Sequence, residues 1–573
     1  MYRFKKEFSE VAIARCSGAG AELKNCLREL ADLIGGVSLY IKPTDTVFIK
    51  PNLTAGMPSE TGGTTDVLFA EAVVELIKEA GAARIIVGEC SGNESRSIES
   101  LTNLGYKDMC ERQGIEMVDL DFAEFIEIPV PNPRHKDTLL LPKIFWECDK
   151  YVSVPVLKTH ITAGITVAIK NSFGLVTDQT KLDAHRNRTV EKVIADIASV
   201  KPADLVFVDG RLGSEGIAGG NDFEHPIRAN LVLAGNDPVA IDAVSARLMM
   251  QNTRIKYIQW AAEQGAGNDR LDFILIRGLS IDEAKVNYMS PAEQIMGSSN
   301  GKIKICESGA CSLCRTSIEG PLSRFTHNPV SLLESVEAVG GPGEWDAPEQ
   351  VNPRTLLLGD CVMAKYRSMG KFVGGCPVDM NEYMKVLADF NIVCVKCAQA
   401  VNSVIESIDG AREGGGAQEN DRAAKSLNSG ENTNTVENQV AAENKSAVEN
   451  RDDAESRGAA VNRGDAENVS TLKYVYTEEE KATLRAILPD VRILASNKTV
   501  YQGANNKAAM DDYLFAAGKC LSGYIRNHGR RVHKYSDIDV TEYAVYKDGC
   551  PINGDDVLEG LRELAKKIKA KSG

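Results

Sequence analysis

The stretch Ser153-Val-Pro-Val-Leu-Lys158-Thr159-His160 runs on to Gly164-Ile-Thr-Val-Ala-Ile-Lys170-Asn171-Ser-Phe-Gly174, and it decides how the chain is read. The apolar run from Tyr151 to Leu157 has the length and composition of a buried strand. It ends on a lysine, a hydroxyl and an imidazole, and a second lysine and an amide follow shortly after. In open α/β sheets ligands lie just beyond the carboxyl ends of strands. A functional site is expected here.

Outward from this stretch, strand-like and helix-like segments alternate over residues 1–300. Thr46–Lys50, Arg84–Glu89, Asp204–Asp209, Leu231–Gly235 and Asp272–Arg277 read as strands. Asp66 to Gly81 reads as a helix, with an N-capping aspartate and a C-terminal glycine. Asn236-Asp237-Pro238 opens another, with Val239, Ile241, Val244 and Leu248 on its apolar face. The fold class expected is α/β, a largely parallel sheet covered by helices.

A chain of 573 residues exceeds one ordinary core. A cysteine-rich module is expected over 301–408. Residues 409–470 read as a disordered linker, poor in large apolar groups, with Val436-Glu-Asn, Ala442-Glu-Asn and Val448-Glu-Asn recurring. Residues 471–573 read as a small α+β domain ending in an amphipathic helix from Asp555. The net charge of -14 argues against a nucleic-acid partner. No apolar run has the length of a membrane span, and the N-terminus lacks a secretory core. A cytoplasmic location is expected, where thiols stay reduced.

Seven of the 14 cysteines fall between Cys306 and Cys397. Cys311-Ser-Leu-Cys314 places two thiolates close enough for one centre. Cys361 follows a strand-like run, and Cys376 sits in Gly-Gly-Cys-Pro. Four such thiols suit a four-iron four-sulfur cluster. Pairing Cys311 and Cys314 with Cys394 and Cys397 would instead make a structural zinc site. Cys306, Cys520 and Cys550 are open as ligands, and Cys16, Cys26, Cys90, Cys110 and Cys148 read as small buried residues.

Around the opening stretch, His160, Lys158, Lys170 and His185 are the catalytic candidates, and Lys50, Asn52 and Asn171 the substrate-binding ones. A lysine at the end of a buried strand is costly unless it meets an anion. A histidine beside it can move a proton near neutral pH. For His185 the alternative is a solvated loop. Asp209 and Gly213-Ser-Glu-Gly216 are further loop candidates, without the spacing of a nucleotide fingerprint.

At Lys50-Pro51-Asn52, Lys158-Thr159-His160, Lys170-Asn171 through Gly174 and Asn236-Asp237-Pro238 through Asp242, the chain resembles a prokaryotic family numbered 362 among domains of unknown function. The resemblance spans about residues 40–300. It implies a cysteine module of the iron–sulfur kind, matching Cys311, Cys314, Cys361 and Cys376. More distantly, the layout is similar to the nickel-pincer lactate racemase superfamily. That resemblance implies His160 as a catalytic base, Lys170 as anchor of a nickel-bearing cofactor and His185 near the nickel ligand. Glu-Cys-Ser-Gly stands where the racemase would supply its other catalytic histidine.

Three readings follow. The first is an iron–sulfur enzyme acting on a small anionic carboxylate, with redox, isomerase or lyase chemistry and an electron-transfer partner. The second is a protein that binds and passes on a cluster or metal. The third is a zinc-stabilised scaffold.

Overall fold

A computed structural model describes residues 8–92, 96–219, 223–251, 254–323 and 335–389, and beyond them 491–495, 498–502, 513–517, 544–547 and 559–566. The expected linker and the pair Cys394 and Cys397 lie outside the described residues, as do Cys520 and Cys550.

The central sheet has ten principal strands: β1 (Ser9–Arg15), β2 (Thr46–Pro51), β3 (Arg84–Glu89), β4 (Glu116–Asp119), β5 (Lys150–Val154), β6 (Val156–His160), β7 (Gly164–Thr166), β8 (Leu205–Ser214), β9 (Leu231–Gly235) and β10 (Ile274–Gly278). Its order is β10-β1-β9-β8-β5-β2-β3-β4. Strand β9 runs antiparallel to β1 and β8, while the other pairs along this path are parallel. The expected α/β, largely parallel sheet is what the chain forms.

Helices α1 (Gly20–Asp32), α2 (Val67–Glu79), α3 (Ala168–Asn171), α4 (Asp178–Arg186), α5 (Val190–Val200) and α6 (Pro238–Leu248) accompany it. Asp66 caps α2, accepting from the Leu68 and Phe69 amides. That helix buries Phe69, Val73, Leu76 and Ile77, each worth about 1.5–3 kcal/mol out of water. Asp237 caps α6 in the same way, with Pro238 inside the first turn.

The run expected as one strand from Tyr151 to Leu157 is two. Proline has no N–H for a ladder and is excluded from strand interiors, and the strand breaks at Pro155. Before it, β5 pairs with β2 and β8. After it, β6 pairs with β8 and turns back through β7, with His160 opposite Gly164. Thr65 stitches the gap: its hydroxyl donates to the Val154 carbonyl at 2.7 Å, and its amide to Asn52 O at 2.9 Å.

A second sheet is wholly parallel: β11 (Ile303–Cys306), β12 (Val336–Gly340), β13 (Thr355–Leu358) and β14 (Lys371–Val373), in that order. Helices α7 (Ser312–Leu322) and α8 (Met380–Asp389) belong to this segment. Strands Val491–Ala495, Lys498–Gln502, Tyr513–Ala517 and Ala544–Lys547 form a third, mixed sheet. No helix among the described residues is long and apolar enough to cross a membrane.

Candidate functional site

Strands β2, β3 and β6 deliver their carboxyl ends to one cavity of about 400 Å³. Its lining includes Lys50, Asn52, Glu89, Cys90, His160, Lys170, Asn171, Lys181 and His185. Of the seven catalytic and substrate-binding candidates, Lys158 alone stands back from this wall. Its ammonium donates to Gly63 O at 2.6 Å and Asn52 Oδ1 at 3.4 Å, and lies 4.8 Å from the Phe223 ring centroid. Burial, with Lys170 next, holds its pKa well below the usual lysine value. Asp209 pairs with Arg211 instead of lining the cavity, and the 213–216 loop supports the β6 hairpin, Gly216 O accepting from the Thr159 hydroxyl.

Lys50 lines the cavity, but its charge is committed. Its Nζ lies 2.7 Å from Glu89 Oε1, both side chains almost fully buried. Glu89 Oε2 accepts from the Leu53 amide. Gly174 must be glycine at this point, because a Cβ there would come within 2.7 Å of both Lys50 Nζ and Glu89 Oε1. Asn171 ties strands together, donating from Nδ2 to Lys50 O and Ser153 Oγ.

Lys170 differs. It sits on α3, whose first amides donate to the buried Asp242 carboxyl, Ala168 N at 2.7 Å. Burial pushes that carboxyl up to about 8, against the pull of the two amides. The Lys170 ammonium makes no hydrogen bond or ion pair with a described residue, and burial brings it down to about 8.

His160 closes the hairpin. Its Nδ1 accepts from the Thr162 amide at 2.9 Å, so in the neutral ring the proton resides on Nε2. Burial, then the charges of Lys170, Lys158 and His185, keep the imidazole well below its ordinary pKa. The site therefore presents a neutral N–H donor beside an ammonium. His185 lies on α4, expected as a loop alternative but helical, with its ring edge-on to Phe173 at 6.0 Å.

Two cavity residues escaped the sequence reading, Lys181 and Cys90. Lys181 Nζ meets Cys90 Sγ at 2.8 Å and Asp178 Oδ1 at 3.2 Å. The spacing Asp178…Lys181 on one helix was a readable signal. The cysteine partner was not.

The other candidate centre lies at the carboxyl edge of the second sheet. Cys311 precedes α7 and Cys314 lies in its first turn, while Cys361 and Cys376 follow β13 and β14. Asp360 N donates to Gly375 O and Gly375 N to Asp360 Oδ1, lacing the last two loops together. A Cβ on Gly359, a residue at φ 96°, would lie 3.5 Å from Cys314 Sγ. Cys311 is brought down to about 5, chiefly by the Cys314 thiol and then by α7 amides acting against burial. Cys314 is pushed up by Cys311, by burial, and further by the charges of Cys361 and Cys376. Among the described residues no three His, Cys, Asp or Glu side chains converge on a single-ion position.

The two centres adjoin. Thr316 on α7 donates to Thr162 O at 2.8 Å, and Ser312 donates to Glu191 Oε2 at 2.7 Å. A second cavity of about 260 Å³ has Thr316, Pro377 and Met380 on one side and Glu191 on the other, and shares Thr162 and His185 with the first.

Residues 47–247 match the sequence profile of a domain of unknown function, DUF362. That span, shorter than the resemblance over 40–300, contains every residue lining the first cavity; the cysteine segment lies beyond it. The thylakoid-associated protein sll1697 of Synechocystis sp. is 27% identical over 224 residues, 38% of this chain and 67% of that protein. The lactate racemase apoprotein from Thermoanaerobacterium thermosaccharolyticum superposes with a TM-score of 0.31 at 9% identity, over 59% of this chain and 69% of its own. A Thermotoga maritima protein gives 0.28 at 11%, over 56% and 70%. Likeness at that level says nothing of the chemistry.

Proposed function

We propose that the first cavity binds a small carboxylate and that the chain is an enzyme acting on it. Lys170 holds the charge, and His160 supplies a proton or hydrogen bond from Nε2. One observation carries this reading: a cavity-lining ammonium without a counter-charge among the described residues, beside a histidine fixed as a neutral donor. Burying an unpaired charge is costly, and an anionic ligand removes that cost. Lys50, in the wall with its charge taken by Glu89, and Lys158, behind the wall against Asn52, position those two groups.

Cys311, Cys314, Cys361 and Cys376 would hold a four-iron four-sulfur cluster. The donor set supports this: four thiols from three loops at one sheet edge, held close by glycines. Such a cluster, when bound, supplies one-electron transfer. The adjoining cavities support redox chemistry on the carboxylate over chemistry confined to either centre.

The test is calorimetric titration with lactate, glycolate and malate. Wild type should bind one of them, and Lys170→Met should weaken it about ten- to a hundredfold, the loss of a charged hydrogen bond. Equal binding by Lys170→Met sinks the reading. His160→Ala should keep the bound carboxylate and lose turnover; an active His160→Ala protein removes its catalytic role. A second reading, transfer of a cluster to a partner, is favoured by the exposure of Cys376. Delivery of iron and sulfide to an apo-ferredoxin would support it.

A further inference from the structure

Cys90 follows β3, lines the cavity and is not like the other buried thiols. Its sulfur lies 2.8 Å from Lys181 Nζ, and that ammonium is anchored by Cys90 O and Ser91 O, both at 2.9 Å, and by Asp178 Oδ1 at 3.2 Å. Two further contacts of the sulfur, with Val176 O at 3.9 Å and Asp178 Oδ1 at 3.8 Å, are longer. Lys50 with its partner Glu89 also faces this group, and Asp121 reaches Lys181 more remotely. By contrast, Cys110 and Cys148 are held protonated by burial, pushed up to about 11.

We propose that Cys90 is the nucleophile of this cavity, a thiolate held by Lys181 that attacks an electrophilic carbon of a small carboxylate seated on Lys170. An ammonium at contact distance favours the anionic sulfur, and thiolates in electropositive pockets are the reactive ones. Glu89 opposes this but is paired with Lys50, and Asp178 opposes it while sharing Lys181 with the sulfur, which holds the closer contact, 2.8 Å against 3.2 Å. In the step, a sulfur lone pair forms the S–C bond and the leaving group departs with its own electron pair. The sulfur enters deprotonated, so no proton is released. The seat for the carboxylate rests on the reading above; the thiolate does not.

The test uses the full-length chain with iodoacetate and iodoacetamide, mapping the labelled peptide and its rate against pH. Cys90 should label with a pH midpoint below the free-thiol value of about 8.5. It should also prefer the anionic iodoacetate, although the neutral amide is ordinarily the faster reagent. Lys181→Met should raise the midpoint and slow labelling near neutral pH by about tenfold or more. If that variant does not fold, the wild-type profile decides alone. Lys170→Met should keep the low midpoint and lose the iodoacetate preference. If the preference survives, the carboxylate seat fails while the thiolate stands. A Cys90 that is unlabelled, or labelled with a free-thiol midpoint, overturns the proposal.

Discussion

Replacing Lys50 with methionine separates an anion-binding lysine from a structural one. Methionine has similar length, so little packing is lost, but Glu89 is left at 3% exposure without its 2.7 Å partner. Only the Leu53 amide would still reach that carboxylate. Breaking a buried pair by removing one partner costs about 3–5 kcal/mol, two to four decades in the unfolding constant at about 1.4 kcal/mol per decade. The deficit should grow as pH rises above the ordinary glutamate range. A lone buried Glu89 keeps its proton in the native state while the unfolded chain releases it, so stability falls with increasing pH. Adding Glu89→Gln should recover most of the loss, because the amide is neutral and still accepts from Leu53. The assay is chemical denaturation of the three variants followed by circular dichroism. A Lys50→Met protein within about 1 kcal/mol of wild type, with weakened carboxylate binding, would refute the reasoning and return Lys50 to the ligand.

Asp242→Ala strips the cap from α3 and leaves the Ala168 amide unpaired, costing about 1–3 kcal/mol; carboxylate titration should show Lys170 displaced as weaker binding. Asp242→Asn keeps an acceptor for that amide. Because the native carboxyl is raised to about 8, wild type loses stability as pH climbs from its unfolded range of about 4 toward 8, and Asp242→Asn should flatten that slope in denaturation curves. Carboxylate affinity should fall as pH rises through about 8, where free Lys170 gives up its proton, and binding should not change as His160 is approached from neutral pH, since that ring is already neutral. Anaerobically purified protein should carry about four iron and four sulfide per chain, falling sharply in Cys361→Ala; zinc or nickel in their place would displace the cluster.

The α/β class was legible because its signals are local. Asp66 and Asp237 cap helices within three residues of themselves, and strands such as Leu231–Gly235 are apolar on both faces. The site was legible as far as residues at or soon after strand ends: His160 closes β6, Asn52 follows β2, and Lys170 lies on the short helix after the hairpin. What each residue does there was not local. Lys50 looked like an anion holder until Glu89, 39 positions on, took its charge. Cys90 looked like filler because its character comes from Lys181, 91 positions away. Pro155 was in plain view inside an apolar run, and it was the run's hydrophobicity that hid the break.

That break sets more than the path of one strand. On β6 successive side chains face opposite ways, so Lys158 and His160 share the side turned to Asn52 and the cavity while Thr159 reaches Gly216 behind. Sliding the break by a single position would exchange the two sets, turning a hydroxyl inward and the imidazole outward. The break after β5, which Thr65 laces to the end of β2, thus works like an unfastened collar: where it opens decides which chemical group meets the ligand.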